Sequence, residues 1–369
     1  MSTIVYDHQI FTFQEFGGIS RYFCELASRI HRLDDFAAKI VAPLHRNAYL
    51  PDCHVPQAAV HLRGRFRGQN RLCNIVSASL SPALIWASKP SLVHRTYFWP
   101  SRNVSHVPVV HTVYDMIHEL FPDSFSPDDP VLRNKRACVD AAHHLICLSE
   151  STANDLVRLF DVPRTKISVI YLGYSDIFSQ PHPAGDTPLH PRPYLLHVGQ
   201  RDGYKNFRMA LQAYAASPQL RAEFDFVAFG GPALSAQEQA LIRSLPIRAG
   251  SVVHMAGSDA DLARAYRHAR AFVYPSKYEG FGIPPLEAMS SGCVVASSNA
   301  SSIPEVVGDA AAMFNPADVD EIRHALEVAC FDESERIRLI TAGTRRVQQF
   351  NWDRCARETA AVYRQVIHA

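Results

Sequence analysis

The chain alternates short apolar runs with longer segments of mixed polarity, and this alternation predicts strands that are each followed by a helix. Runs such as 107–115, 194–199 and 270–274 are rich in aliphatic and aromatic residues and are typical of strands buried in a parallel sheet. Segments such as 207–216 and 319–329 have the length of helices. The sequence therefore predicts an α/β protein built on parallel sheets.

One such unit lies near the middle of the second half. The apolar run 270–274 leads into a loop with two glycines, and a proline pair then favours the first turn of a helix that stops at Gly292. The next apolar run, 293–297, predicts another buried strand. In open α/β sheets, ligands bind beyond the carboxyl ends of the strands, so this loop is a candidate ligand site.

The loop carries groups suited to a phosphorylated, hydroxyl-rich ligand. Gly280 and Gly282 let the backbone approach a ligand closely, and the start of the helix offers N–H groups to an anion. Glu279 and Glu287 place a carboxylate on either side. Helix stabilisation by Glu287 and a solvated loop charge at Glu279 are the alternative interpretations.

The combined pattern resembles a known signature. A glutamate, seven residues with Gly-Phe-Gly-Ile-Pro among them, and a second glutamate are similar to the donor site of retaining glycosyltransferases of family 4, which have the GT-B fold. Segments 288–297 and 303–311 resemble the same family. The resemblance implies that Glu279 binds the donor sugar and Glu287 the nucleotide ribose. It also implies donor contacts along the loop between them, at Gly280, Phe281, Gly282 and Ile283.

A second predicted donor contact follows the strand 194–199. Gly199, Arg201 and Lys205 stand at a strand-to-helix turn, where the helix dipole would add to their attraction for a pyrophosphate. Two ordinary surface cations are the alternative interpretation. Their spacing resembles the diphosphate clamp of the family, and the resemblance further implies that the backbone near Met255 receives the nucleotide base.

The first half carries weaker signals. Gly17 and Gly18 follow the first strand and serve either a pyrophosphate or a plain turn, and the resemblance implies the former. Asp115 ends the strand 107–115, where the family usually has a His-Asp pair and this chain has Tyr114 instead of the histidine. His118 is the first candidate for the missing histidine role, and His111 stays open beside it.

Composition narrows the class of protein. A net charge of +1 over 369 residues argues against a nucleic-acid binder. The eight cysteines are scattered without a C-x-x-C pair, which suits a reducing compartment rather than a disulfide framework or zinc site. The sequence Asp259-Ala260-Asp261 spells a metal signature of another fold, but it precedes a predicted helix and is read as its cap. We expect no metal.

We expect three segments: an acceptor-binding Rossmann-like domain over 1–186, a donor-binding Rossmann-like domain over 187–351, and a helix over 352–369. The proline- and histidine-rich stretch 180–193 is the predicted linker. The resemblance implies that the two domains face each other across a cleft and that the last helix packs back on the first domain.

The expected function is transfer of a sugar from a nucleotide-diphosphate sugar to a glycan or lipid-linked acceptor in cell-surface polysaccharide synthesis, with GDP-mannose as first candidate donor. A UDP-sugar donor, a catalytically silent nucleotide-sugar-binding scaffold and a sugar-nucleotide epimerase are the alternatives. No apolar run reaches the length of a membrane span, so we expect a cytoplasmic protein. Peripheral contact with the inner face of the membrane stays open, because the stretch 61–70 is rich in arginine and the predicted helix 72–88 is largely apolar.

Overall fold

The chain divides into two compact units in a computed structural model that describes residues 1–62, 64, 66–99, 106–181 and 185–369. The first unit comprises Met1–Gly173 together with Trp352–Ala369, and the second comprises Tyr174–Asn351. Arg63 and Arg65 of the predicted arginine-rich stretch lie outside the described residues.

The first unit is built on a seven-stranded sheet. Its strands are β1 (Ser2–Tyr6), β2 (Phe36–His45), β3 (Gln57–His61), β4 (Leu92–Arg95), β5 (Val109–Val113), β6 (His144–Cys147) and β7 (Ile167–Val169). Its helices are α1 (Gln9–Phe13), α2 (Gly18–Ile30), α3 (Gln69–Ala87), α4 (Ile117–Leu120), α5 (Pro130–Ala141), α6 (Glu150–Phe160) and, from the end of the chain, α15 (Trp352–His368). The strands are parallel and lie in the order β3-β2-β1-β4-β5-β6-β7.

The second unit repeats this plan with six strands. They are β8 (Tyr194–Val198), β9 (Asp225–Phe229), β10 (Val252–Met255), β11 (Ala271–Tyr274), β12 (Val295–Ser298) and β13 (Ala311–Phe314). The helices are α7 (Phe207–Ala216), α8 (Pro218–Glu223), α9 (Ala236–Ser244), α10 (Asp259–His268), α11 (Ile283–Ser290), α12 (Ile303–Val307), α13 (Val319–Phe331) and α14 (Glu333–Val347). All six strands are parallel and lie in the order β10-β9-β8-β11-β12-β13. Strands β9 and β10 are added on one side of β8 and the later strands on the other, as in doubly wound Rossmann-type sheets. The predicted α/β class with two parallel sheets is confirmed.

The division of the chain lies earlier than the predicted boundary after residue 186. Asp186 accepts a hydrogen bond from Arg267 at 2.7 Å, and His190 pairs with Asp225 at 2.8 Å. Because these partners belong to α10 and β9, the described part of the predicted linker 180–193 packs on the second unit. Residues 182–184 lie outside the described part.

Helix α15 belongs to the first unit although it follows the second unit in sequence. The Tyr363 hydroxyl lies 3.1 Å from that of Tyr6 on β1 and 2.6 Å from Nδ1 of His94 on β4. All three side chains are buried, so their polar atoms depend on one another for hydrogen bonds. This contact ties the end of the chain to the centre of the first sheet.

Helix α3 covers the segment that the sequence predicts as a helix over 72–88. Its inner face is buried, and the Ser77 hydroxyl both accepts from the Leu44 amide at 3.0 Å and donates to the Leu44 carbonyl at 2.8 Å. The expected burial against the sheet therefore holds for one face, while the other face is exposed. In the described part of the chain no helix has the length and apolar character needed to cross a membrane.

Replacing Tyr363 with phenylalanine tests how α15 is held. The variant leaves Tyr6 and His94 without their shared partner in a buried place, so we expect the first unit to lose about 1–3 kcal/mol of unfolding free energy. Calorimetry of the two units' unfolding transitions is the measurement. Tyr174→Phe is the control, since the Tyr174 hydroxyl makes no hydrogen bond with any described residue. Equal transitions in both variants would contradict this role of Tyr363.

Candidate active site

An ion pair joins the two predicted donor-site segments of the second unit. The Lys205 ammonium donates to both carboxylate oxygens of Glu279, at 2.8 and 2.9 Å. The Glu279 side chain is 10% exposed and that of Lys205 is 24% exposed, so the pair is shielded yet reachable from solvent. Two charges that lie 74 residues apart in sequence thus share one site.

Two serines hold the loop that carries Glu279. The Glu279 amide donates to the Ser301 hydroxyl at 2.8 Å, and the Ser302 hydroxyl lies 2.8 Å from the carbonyls of both Glu279 and Phe281. Burial, and then the negative charge of Glu279, raise the pKa of Tyr274 well above its usual value. The loop that carries the carboxylate is therefore fixed through its backbone.

Asn206 fixes the loop that carries Lys205. Its backbone is left-handed, with φ of 60°, a conformation that asparagine tolerates better than most residues. Its buried side-chain amide donates to the carbonyls of Pro275 at 3.0 Å and Pro316 at 2.7 Å. Pro275 begins the segment that leads to Glu279. The Asn206 side chain therefore fixes the position of the loop that carries Lys205 relative to the loop that carries Glu279.

Helix α11 begins as predicted, but its prolines reduce the number of N–H donors in its first turn. Gly282 precedes the helix with φ of 118°, which favours glycine, and Gly292 follows its end with φ of 74°. Pro284 and Pro285 carry no N–H, so the first turn offers a bound anion fewer donors than an ordinary helix start. Glu287 is buried in this helix and accepts a hydrogen bond from Tyr266 at 3.3 Å.

The other loop residues lie inside the unit. Gly280 and Phe281 are buried, Ile283 is half-buried, and Phe281 packs edge-on against Phe350 at 5.9 Å between ring centres. The Phe281 side chain therefore anchors the loop in the core.

Arg201 is buried and already engaged. Its Nε donates to Glu238 at 2.6 Å, and its terminal nitrogens donate to the carbonyls of Gly230, Pro232 and Ala233. The guanidinium thus braces the loop after β9. Four acceptors already surround its five N–H groups and the side chain is 2% exposed, so a ligand has little access to it.

Gly199 follows the carboxyl end of β8 and Met255 ends β10, with β9 between these two strands. Gly199 has φ of 100° and its amide donates to the Phe229 carbonyl at 2.9 Å. The Met255 carbonyl accepts from the Gly230 amide at 2.8 Å. Gly231 has no room for a side chain, since a Cβ there would lie 2.8 Å from the Gly199 carbonyl oxygen. The backbone is therefore tightly packed at this edge of the sheet.

His197 on β8 stands beside both cations. Burial, and then the positive charges of Lys205 and Arg201, lower its pKa to about 3. Its ring packs edge-on against Phe207 at 5.0 Å, and its Nδ1 is buried without a partner among the described residues. The His197 imidazole beside the two cations is therefore uncharged.

In the first unit, Asp115 belongs to a buried charged cluster. The fully buried Lys135 ammonium donates to Glu119 at 2.7 Å and to the Asp115 carbonyl at 3.2 Å. The Asp115 carboxylate lies 4.0 Å from the same ammonium and accepts from the Ile117 amide at 3.0 Å. Lys135 therefore organises the turn that leaves β5, a role that the sequence did not suggest.

The two candidate histidines differ in setting. His118 stacks on Phe125 at 4.0 Å and lies 3.8 Å from Asp129, with its side chain 15% exposed. Burial and then Lys135 lower its pKa below the usual value. His111 is 1% exposed and stacks on Phe98 at 4.9 Å, and burial lowers its pKa to about 4. Of the two, only His118 keeps an exposed part.

Tyr114 occupies the position where the resemblance expects a histidine. Its ring is buried and its hydroxyl donates to the Thr96 carbonyl at 2.7 Å. The side chain therefore serves the fold at this position.

Gly17 and Gly18 begin helix α2. A Cβ on Gly17 would lie 2.3 Å from the Gln14 amide oxygen, which accepts from the Ser20 amide at 3.2 Å. Gln14 thus caps the helix from outside its first turn. A side chain at position 17 would have to displace Gln14 from this cap, whereas Gly18 is exposed and free of such contacts.

The remaining sequence-based candidates concern metals. Ser258 and Asp261 form a capping box at the start of α10, which confirms that the Asp259–Asp261 signature is a helix cap. Among the residues that the structure describes, no three His, Cys, Asp or Glu side chains are grouped to hold a metal ion. All eight cysteines lie in this part of the chain and are free.

Family comparison matches both units. Residues 185–346 match the glycosyl transferases group 1, and residues 16–177 match glycosyltransferase family 4. The chain belongs to these glycosyltransferases. The resemblance drawn from the Glu279–Glu287 segment is therefore confirmed.

Two relatives in Escherichia coli are mannosyltransferases by name. The O-antigen chain mannosyltransferase B is 33% identical over 234 residues, which cover 61% of this chain and 61% of the relative. The serotype-specific mannosyltransferase WbdA is 28% identical over 320 residues, which cover 80% of this chain and 39% of WbdA. The chain thus spans less than two thirds of the length of either relative.

A solved structure shows the same fold. Sucrose-phosphate synthase from Thermosynechococcus elongatus matches with a TM-score of 0.78 and 20% identity, over 100% of both chains. The chain therefore has the GT-B fold, as expected.

Asn206→Asp tests whether the side-chain amide registers the two loops. Aspartate keeps the shape and tolerates the left-handed backbone, but a carboxylate cannot donate to the carbonyls of Pro275 and Pro316. We expect the second unit to lose about 2–4 kcal/mol of unfolding free energy in calorimetry. Asn315→Asp is the matched control, because Asn315 is exposed and its side chain only accepts, from the Ala317 amide. If both variants unfold alike, Asn206 does not have this role.

Proposed function

We propose that this protein is a retaining glycosyltransferase that moves a hexose from a nucleotide-diphosphate sugar to a glycan or lipid-linked acceptor in cell-surface polysaccharide synthesis. The observation that carries the proposal is the Lys205–Glu279 pair at the glycine loop. It sets a cation and a carboxylate side by side in a shielded place, which suits a ligand with both phosphates and hydroxyls.

In this proposal Glu279 grips the donor sugar. Each carboxylate oxygen has two lone-pair directions, so both oxygens retain acceptor capacity for sugar hydroxyls beside Lys205. Glu287 binds the ribose, and the backbone of Gly199, Met255 and the Gly280–Ile283 loop contacts the nucleotide.

Lys205 binds the departing diphosphate and stabilises the charge that develops on it. Arg201 adds positive charge behind the loop after β9, where Glu238 already accepts from its Nε. Gly17 and Gly18 are proposed as further backbone contacts to phosphate.

Transfer follows a front-face course. The bond between the anomeric carbon and the diphosphate oxygen breaks, and its electron pair leaves with the diphosphate. The acceptor oxygen forms the new bond on the same face, and its proton passes to a phosphate oxygen of the leaving group. Asp115 and His118 are proposed to orient the acceptor or the sugar.

GDP-mannose is the first candidate donor, because both named E. coli relatives are mannosyltransferases. A UDP-sugar is the alternative within the same reaction. A catalytically silent nucleotide-sugar-binding scaffold is the second candidate function, favoured by one observation: Tyr114 replaces the expected histidine and uses its hydroxyl within the fold.

A panel of GDP-, UDP-, dTDP- and ADP-sugars tests the proposal through release of nucleoside diphosphate by the purified protein. We expect slow release from one donor, and a loss of about 100-fold in Lys205→Ala, which corresponds to about 2.7 kcal/mol of transition-state stabilisation. Lys277→Ala is the matched control, since Lys277 is an exposed lysine two residues before Glu279.

Each outcome decides between the two candidates. Release that is lost in Lys205→Ala but kept in Lys277→Ala supports the transferase and identifies the base and sugar. Tight nucleotide binding without turnover, even with candidate lipid-linked acceptors added, favours the silent scaffold instead.

A further inference from the structure

A cavity of about 700 Å³ lies in the first unit beneath helix α3. Its α3 wall is formed by side chains such as Ile75, Ala78, Pro82 and Ala83, and Trp99 closes it on another side. The Trp99 backbone is fixed by Gln9, which donates to its carbonyl and accepts from its amide, each at 3.0 Å. The cavity is thus a built feature with mainly apolar walls.

The cavity opens on an unusual helix face. Ile75, Ala78 and Ala83 line the cavity and are also exposed to solvent. Leu72 and Trp86 do not line it, but they are exposed along the same helix. Trp86 is 71% exposed and Ile75 is 56% exposed. No charged residue occurs between positions 72 and 88, so this surface helix presents an uncharged, apolar face to its surroundings.

Positive charges frame this face. Arg67 and Arg71 lie at the amino end of α3 and Lys89 follows its carboxyl end, and all three are exposed. Within the described residues, none of them forms an ion pair. The sequence has no Asp or Glu from Cys53 to Tyr114. An apolar face framed by cations complements the chains and phosphates of lipids.

The floor of the cavity is polar but neutral. Arg95 lines it and donates to the buried Asp7 carboxylate at 3.1 Å, so the two charges offset each other. His8 lines it as well, and burial lowers the pKa of its imidazole, which is therefore uncharged at neutral pH. A floor without net charge does not favour a phosphate or a nucleotide.

His8 offers one polar atom to a ligand. The ring is 8% exposed and its Nδ1 is bonded to the Ser81 hydroxyl at 2.9 Å. Its Nε2 has no hydrogen-bond partner among the described residues. A nearly buried imidazole nitrogen at the floor of an apolar cavity suits a ligand hydroxyl.

We propose that this cavity binds an amphiphilic acceptor, with a hydroxyl of its sugar at His8 and its apolar chain along α3, leaving through the exposed face. The identification of this ligand as an acceptor rests on the proposed function. The inference selects the lipid-linked class of acceptor over a free glycan. The apolar walls account for the chain, the neutral floor for an uncharged sugar, and the framing cations for the phosphates of surrounding lipids.

An alkyl maltoside with bromine atoms on its chain, used below its micellar concentration, is the probe, and tryptophan quenching is the readout. Trp99 lines the cavity and Trp86 lies on the exposed face, so the two report different places. We expect saturable quenching, relative to the unbrominated maltoside, that is reduced in Trp99→Phe because the Trp99 contribution is removed, while Trp86→Phe keeps the quenching of Trp99. Ala78→Phe, which fills the cavity, should weaken binding at least tenfold, whereas Ala87→Phe at the exposed end of the same helix should not.

Quenching that disappears only in Trp86→Phe would mean adsorption to the helix face and would overturn the proposal, as would unchanged binding in Ala78→Phe. If Ala78→Phe fails to fold, Ser79→Phe takes its place, since Ser79 also lines the cavity. No sugar donor is present, so the result is independent of turnover. Donor turnover without Trp99 quenching contradicts this inference alone, and Trp99 quenching without donor turnover contradicts the transferase alone.

Discussion

The ion pair between Lys205 and Glu279 is the constraint on which the candidate site depends. Opposite charges this close and this shielded stabilise each other only if the backbone around them is fixed. The serines at 301 and 302 hold the glutamate loop, and the Asn206 amide holds the lysine loop to it. The sheet order places both loops at the carboxyl ends of adjacent central strands, β8 and β11.

The pair also explains how the site can be stable without a ligand and still bind one. A diphosphate can share the Lys205 ammonium with Glu279, and sugar hydroxyls can share the carboxylate with Lys205, so a ligand adds partners without leaving a charge unpaired. Arg201 differs, because its guanidinium already braces the loop after β9. The two cations of the predicted clamp therefore have unequal access to a ligand.

The helices and strands that local sequence patterns determine could be predicted from the sequence. Helix α7 and the strand–loop–helix of β11 and α11 follow from apolar runs, prolines and glycines. Contacts set by tertiary packing could not be predicted: nothing local marks Lys135 as the buried partner of Asp115, or Gln14 as the acceptor for the Ser20 amide in the first turn of α2. The division after Gly173 could not be predicted either, because a proline-rich stretch gives no local sign of the Asp186–Arg267 contact. The position of Asn206 directly before a predicted helix is a local signal for such a contact.

The most direct measurement of the central claim is calorimetric titration of the purified protein and its Lys205→Ala variant with GDP and GMP, repeated with UDP and UMP. If Lys205 contacts the outer phosphate beside Glu279, the variant loses about 100-fold in affinity for the diphosphate that binds, about 2.7 kcal/mol, and little for the matching monophosphate. Equal diphosphate affinity in both proteins would contradict the account, because the pair would then have no part in binding a donor.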